Sequence, residues 1–192
     1  INEDHIYQIY SSLIEEGYLR IFSIHISHRF SKSYEIAKKV APTIEEAEVM
    51  AFNIHATGLG LGLIIQQVNQ AIVDHYSPVD IIHLIESNIK RLHYWVSPLE
   101  FQYVQNLPWL KQLNQDSIIS QLKSNQYKPI VAVRDKLKIT DINQTQEQVL
   151  LTLLHYLDEE YKRRRGKIVR IGVEYRNVYI LTIDFVNKIK EK

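Results

Sequence analysis

Cysteine is missing from all 192 residues. Disulfides, thiolate nucleophiles and cysteine-held metals are therefore excluded, and a reducing cytoplasm is the simplest setting for the chain. A charge excess is missing too. With 23 basic against 22 acidic residues the formal net charge is +1, which gives no electrostatic reason to expect nucleic acid or an anionic membrane as a partner. No long hydrophobic run is present: the longest, over residues 59–65, has glycines inside it and falls far short of a bilayer span. The opening residues Ile1-Asn-Glu-Asp4 are polar and acidic, unlike a signal peptide. They lack an initiator methionine, so a piece trimmed from something longer is expected. Internal repeats and low-complexity linkers are absent as well.

What is present is a sequence that is 45% hydrophobic, enough for a sizeable core and too much for a disordered tail. The elements alternate. Residues 4–16 carry Ile6, Tyr10, Leu13 and Ile14 at helical spacing, with Gly17 as the stop. RIFSIHI over 20–26 reads as a strand. Ser31 is placed to cap a helix that runs to Val40, with Pro42 beyond it. A second strand is expected over 48–52, then a glycine-rich start to a long helix reaching about Tyr76. Ser77-Pro-Val-Asp80 joins a cap, a first-turn proline and an acidic third residue, a strong start for a helix to about Arg91. A short strand over 93–96 follows, and Ser97-Pro-Leu-Glu100 repeats the helix-start pattern. Further on, KPIVAV over 128–133 and residues 136–140 read as neighbouring strands, 144–164 as a long amphipathic helix, 168–173 as a strand and 178–189 as a closing helix. Alternation of this kind implies an α/β protein with helix-covered sheets. The pattern changes near Val96, so two lobes are expected, 1–95 and 96–192.

Few residues look chemical. Gly58, Gly60 and Gly62 follow a strand and open a helix, but G-x-G-x-G is not the dinucleotide fingerprint G-x-G-x-x-G, and no P-loop lysine follows. Close helix–sheet approach, or a narrow apolar slot beside the three glycines, explains them better. Eight histidines invite a metal reading. Yet His25 and His28 straddle a strand end and point apart, and H-E-x-x-H is absent. The basic run Lys162-Arg-Arg-Arg-Gly-Lys167 reads as a solvated helix end, with anion or partner docking as the alternative. Ser27, Ser31 and Ser33 cluster where a strand turns into a helix. Hydroxyls and free N–H groups there suit a carboxylate or phosphate. Without G-x-S-x-G or a recognisable histidine–carboxylate pair, none of them reads as a nucleophile.

IHISHRFSKSY over 24–34 resembles the S-I-x-I-S-x-x-L-S-G-T-Y segment of the DegV family of bacterial fatty-acid-binding proteins. LIEEGY over 13–18 is similar to the end of that family's preceding helix. TGLGLGL over 57–63 resembles its S-M-G-L-G, VSPLEF over 96–101 its V-x-D-L-E-Y, and KPIVAV with Lys138-Ile139 its K-P-I-L-x-V-x-D-G-K-I. The order and spacing agree over nearly the whole chain. The resemblance implies two α/β lobes, a parallel sheet with helices on both faces followed by a smaller α/β domain, and a lipid tunnel between them. It implies a long-chain fatty acid whose carboxylate meets Ser31, and in some members a partner kinase that receives the acid. The family's opening strand and T-S-Q-P segment would precede residue 1, and its H-T-G-P-G segment would follow residue 192. Its G-G-R-I stretch is replaced around Gln105 to Pro108, its Thr by Ser33, and its Asp-Ser by Asn53-Ile54.

Taken together, the sequence leads to a non-enzymatic lipid-binding protein without cofactor or metal, without nucleic acid and without a membrane span. Its expected lipid contacts are Ser27, Ser31, Ser33, Gly58, Gly60 and Gly62. The rival expectation is a divergent interaction domain that kept the fold and lost the lipid.

Overall fold

The structure, a computed structural model, describes residues 1–98, 120, 127–167, 170–174 and 186–190. The chain divides into two compact units, Ile1–Tyr94 and Trp95–Lys192.

The first unit opens with α1 (Glu3–Glu15), whose exposed start is capped by Asn2 Oδ1 accepting the His5 N–H at 2.9 Å. Gly17 ends it at φ +93°, the left-handed conformation that glycine adopts without penalty. β1 (Arg20–His25) and β2 (Glu48–Asn53) pair in parallel, in register from Arg20↔Glu48 to His25↔Asn53. Parallel neighbours need a crossover. Here it is α2 (Ser33–Val40) and a 3-10 turn, Ala41–Thr43. α3 (Gly58–Val73) and α4 (Pro78–Arg91) follow, the second capped by Ser77, which accepts the Asp80 N–H.

Strand alternation explains the layers. Ile21, Val49 and Ala51 belong with Ile6, Tyr10, Ala37, Val40 and Ile44, so one face of the sheet lies under α1 and α2. Phe22, Ile24 and Phe52 pack with Ile54, Ile64, Val68, Ile81 and Ile85, so the other face lies under α3 and α4. Ile54 and Ile85 are wholly buried, and burying each contributes roughly 1.5–3 kcal/mol. Gly60 is buried too. A Cβ on it would come within 2.5 Å of the Ala56 Cβ and 3.3 Å of the Tyr94 ring, whereas one on Gly62 would meet nothing within 4 Å.

β3 (Tyr94–Val96) spans the boundary between the units and forms a three-stranded sheet, order β3-β4-β5. β4 (Lys128–Val133) and β5 (Leu137–Asn143) are antiparallel, with a register shift between Ile130 and Val131. Before the bulge β5 keeps strict alternation, Leu137 and Ile139 inward, Lys138 and Thr140 outward. α5 (Gln146–Arg163) starts on a complete capping box between Thr145 and Gln148. Trp95 and Tyr156 pack as tilted rings, centroids 5.6 Å apart and planes at 36°.

Three sequence expectations need comment. The strand over 168–173 is not formed in its described part, 170–173, where Gly172 interrupts the run and no ladder partner occurs among the described residues. Of the closing helix, 186–190 is helical and the remainder lies outside the described residues, as does the helix expected after Ser97-Pro98. In the basic run, Lys162 pairs with Glu159 at 3.1 Å, and Arg163 and Arg164 both bind Glu160. Much of its charge is thus met within its own helix. Among the described residues no helix is long and apolar enough to cross a membrane.

Candidate functional site

In open α/β sheets, ligands bind beyond the carboxyl ends of the strands. At that end here stand His25 and Asn53, each leading into a loop that opens a helix. The loop after β1 is a tight turn on Ser27, whose carbonyl accepts the N–H groups of Phe30 at 2.9 Å and Ser31 at 3.2 Å. Ser27 is fully buried. Its N–H donates to the Ala56 carbonyl at 2.9 Å and its Oγ accepts the Arg29 N–H at 3.3 Å. Its side chain is thus committed to holding the turn.

Ser31 stands one residue before the formal cap of the helix it was expected to cap. α2 starts at Ser33, and the residue in the formal cap position, Lys32, makes no side-chain capping bond. Ser31 Oγ accepts the Ser33 N–H instead, at 3.1 Å. Helix boundaries shift by a residue when the first turn is tightened in this way. Ser33 is buried, while Ser31 keeps partial exposure. Of the three serines, Ser31 therefore has a hydroxyl that a ligand can reach, and among the described residues that hydroxyl proton has no acceptor.

The loop after β2 is tied to the same turn. Asn53 Oδ1 accepts the His28 N–H at 2.9 Å, and Asn53 Nδ2 lies 2.7 Å from His28 Nδ1. The three glycines behave differently from one another. Gly58 starts α3 with φ +44° and is exposed, Gly60 is packed against Ala56 and Tyr94, and Gly62 faces open space. The structure gathers Ser27, Ser31 and Ser33 into one turn. It gives the glycines a helix start, a packing contact and an open surface, with no slot at Gly60.

A second polar chain runs from α1 to the same end of β1. The Tyr10 hydroxyl donates to Ser23 Oγ at 2.8 Å, and Ser23 Oγ lies 2.8 Å from His25 Nε2. Ser23 Oγ thus accepts from Tyr10 and shares a hydrogen bond with His25 Nε2, whose direction follows the ring tautomer. Tyr10 is 2% exposed, so the tyrosine end of this chain is sealed, while Ser23 and His25 are partly buried. Burial pushes the Tyr10 hydroxyl up from its usual value, and the bond to Ser23 pulls in the other direction. A shallow depression of about 220 Å³ lies between α1 and the end of α2, lined by Glu3, Asp4, Tyr7, Lys39, Val40 and Thr43. Its ion pair and carboxylates suit water better than an alkyl chain. Among the described residues no three histidines or carboxylates cluster as metal ligands.

The family model of the DegV proteins, described as uncharacterised, matches residues 1–192. The chain belongs to the DegV family. Solved DegV structures share its fold. A DegV-family protein of Ruminococcus gnavus, described with vaccenic acid, superposes at TM-score 0.76 with 14% identity, covering 100% of this chain and 66% of that one. DegV of Bacillus subtilis, described as a fatty acid binding protein, gives 0.68 with 19% identity over 84% of this chain and 56% of that one. A stearic acid-binding protein of Eubacterium ventriosum gives 0.65 with 16% identity over 84% of this chain and 57% of its own. The chain thus spans little more than half the length of the Bacillus and Eubacterium relatives. No match is found among curated proteins.

Two features of this DegV-family chain escaped sequence reading. The His28–Asn53 clasp joins residues 25 apart, and no local pattern announces such a pair. The Tyr10–Ser23–His25 chain left a trace: two polar residues at successive inward positions of β1, where alternation calls for apolar ones.

His25 also sets a pH dependence. Burial lowers its pKa below the usual 6.5. In the fold it stays neutral where the unfolded chain already binds a proton. Stability is therefore fully present above about pH 6.5 and falls as the pH drops from there towards the folded value. The midpoint of urea unfolding is expected to be lower at pH 5.5 than at pH 7.5, and His25→Asn should flatten that difference. An equal drop in parent and variant would assign it to other histidines.

Proposed function

We propose that this chain binds a single-chain lipid such as a long-chain fatty acid, with its polar head at the Ser31 turn, and that it is a carrier rather than an enzyme. The observation that supports this most is Ser31. Its hydroxyl is reachable, stands at the start of α2 beyond the strand ends, and has a proton with no acceptor among the described residues. The start of a helix favours an anion. The names of the relatives, which bind vaccenic or stearic acid or are called fatty acid binding, supply the ligand class. Presentation of the acid to a kinase, and a cytoplasmic location, extend the same reading. The open side of α3 at Gly62, flanked by exposed Leu59 and Ile65, offers apolar surface for the tail.

Tail burial is worth roughly 0.8 kcal/mol per methylene. The head has Ser31 and backbone amides, and the family's arginine has no counterpart here. Binding is therefore expected to rise with chain length. Ser31→Ala removes one hydrogen bond to a charged group and should weaken octadecanoic acid by about 1.5 kcal/mol, roughly tenfold. Displacement of a fluorescent fatty acid measures both effects. An unchanged affinity in the variant would move the head group elsewhere, and no binding by the parent would favour an interaction domain without a lipid.

A further inference from the structure

We propose that His28, with its tautomer fixed by Asn53, is the specificity-determining donor of the head-group site. It offers an uncharged Nε2–H to any single-oxygen head, so the site takes fatty alcohols about as well as fatty acids. The inference rests on the lipid reading above.

Asn53 fixes the His28 tautomer. A side-chain amide can be turned over only if its partners allow it. Here Oδ1 must face the His28 backbone N–H, a fixed donor 2.9 Å away. The NH2 end is left facing His28 Nδ1 at 2.7 Å. An NH2 can only donate, so Nδ1 accepts, and the ring proton resides on Nε2. Asn53 is itself the last residue of β2, fixed by the ladder opposite His25, and Ile54 beyond it is wholly buried. The imidazole is therefore anchored to the end of the sheet through Asn53.

Nε2 has no partner among the described residues, and the His28 side chain is partly exposed. The Ser31 N–H bonds the Ser27 carbonyl four residues back, which makes 27–31 a helical turn. Residues three apart lie on one side of such a turn. His28 and Ser31 are so related, which sets the two side chains on the same side of the turn. Both are uncharged. Uncharged donors gain much less from a carboxylate than a guanidinium does, so discrimination against an alcohol of equal length is small.

The test combines histidine 15N NMR with titrations of octadecanoic acid and octadecan-1-ol. The free protein should show His28 as the Nε2–H tautomer, and Asn53→Ala should convert it to a mixture. In the parent, acid and alcohol should bind within about tenfold of each other, and either one should shift the His28 Nε2 resonance. His28→Leu should weaken both by about tenfold. His28→Gln, which restores a donor, should recover most of the loss and guards against a variant that merely misfolds. An Nδ1–H tautomer in the free protein overturns the proposal. So does a parent that binds both lipids while His28→Leu binds them equally well, which leaves the lipid reading standing. A parent that binds neither removes the lipid reading and this proposal together.

Discussion

Ile54→Ala is expected to destabilise the first unit by about 2–5 kcal/mol, the range for emptying a sealed aliphatic site. Ile54 is wholly buried among Ala56, Ile64, Val68, Ala71, Ile81 and Ile85. Those neighbours come from α3 and α4 as well as the loop, so no single element can shift to refill the space. Its own N–H is held by the His25 carbonyl at 2.9 Å, which further limits collapse. The control is Ile65→Ala on the same unit. Ile65 is 45% exposed, and its loss should stay within roughly 0.5 kcal/mol. Urea unfolding followed by far-UV circular dichroism measures both. A cost below 1 kcal/mol at Ile54 would mean that the core beneath the site is not packed as described.

Gly60→Ala and Gly62→Ala should move stability in opposite directions, although both sit on α3 two residues apart. Alanine is the better helix former by roughly 1 kcal/mol, and at Gly62 nothing stands in its way. That variant should gain most of this amount. At Gly60 the new methyl would lie 2.5 Å from the Ala56 Cβ, a separation that real carbon contacts do not reach. Ala56 carries no flexible end that could swing aside. The helix must then lift from the loop, and overpacking of this kind costs on the order of 1–3 kcal/mol. A thermal melt comparing the two would settle it, and a stabilised Gly60→Ala would refute the close approach. The clash also predicts a loosened Ala56 carbonyl, the acceptor for Ser27, and with it a disturbed turn at Ser31.

The two glycines also show how far sequence reading reaches. G-x-G-x-G announced a helix that starts close to something, but not which glycine does the approaching. That depends on Ala56 and Tyr94, which meet Gly60 only through the fold. The helix from Ser77 was legible because capping is local, its donor and acceptor lying three residues apart, while those after Asn2 and Thr145 were legible from their apolar spacing and not from their caps. The strands of the first unit were legible because RIFSIHI and EVMAF carry β-branched and aromatic residues between turn signals. The β4–β5 bulge was not, since register slips are decided across the ladder. At the site, Ser31 was legible as a hydroxyl at a helix start. His28 and Asn53 were visible only as a polar residue in a loop and a departure from the family's Asp. Their meeting is a property of parallel strand ends, a relation that no window of neighbouring residues contains.

The tilted contact of Trp95 with Tyr156 lies in the half of the chain that holds both indoles. Both tryptophans, Trp95 and Trp109, come after residue 94, while the first unit holds Tyr7, Tyr10, Tyr18, Tyr34, Tyr76 and Tyr94 and no indole. Fluorescence excited at the red edge of absorption therefore comes from indoles of the second unit, one of them, Trp95, against the Tyr156 ring. Melting of the first unit, which holds no indole, is followed through the backbone or through phenol absorbance. One sample watched in both channels shows separately when each half of the molecule comes apart.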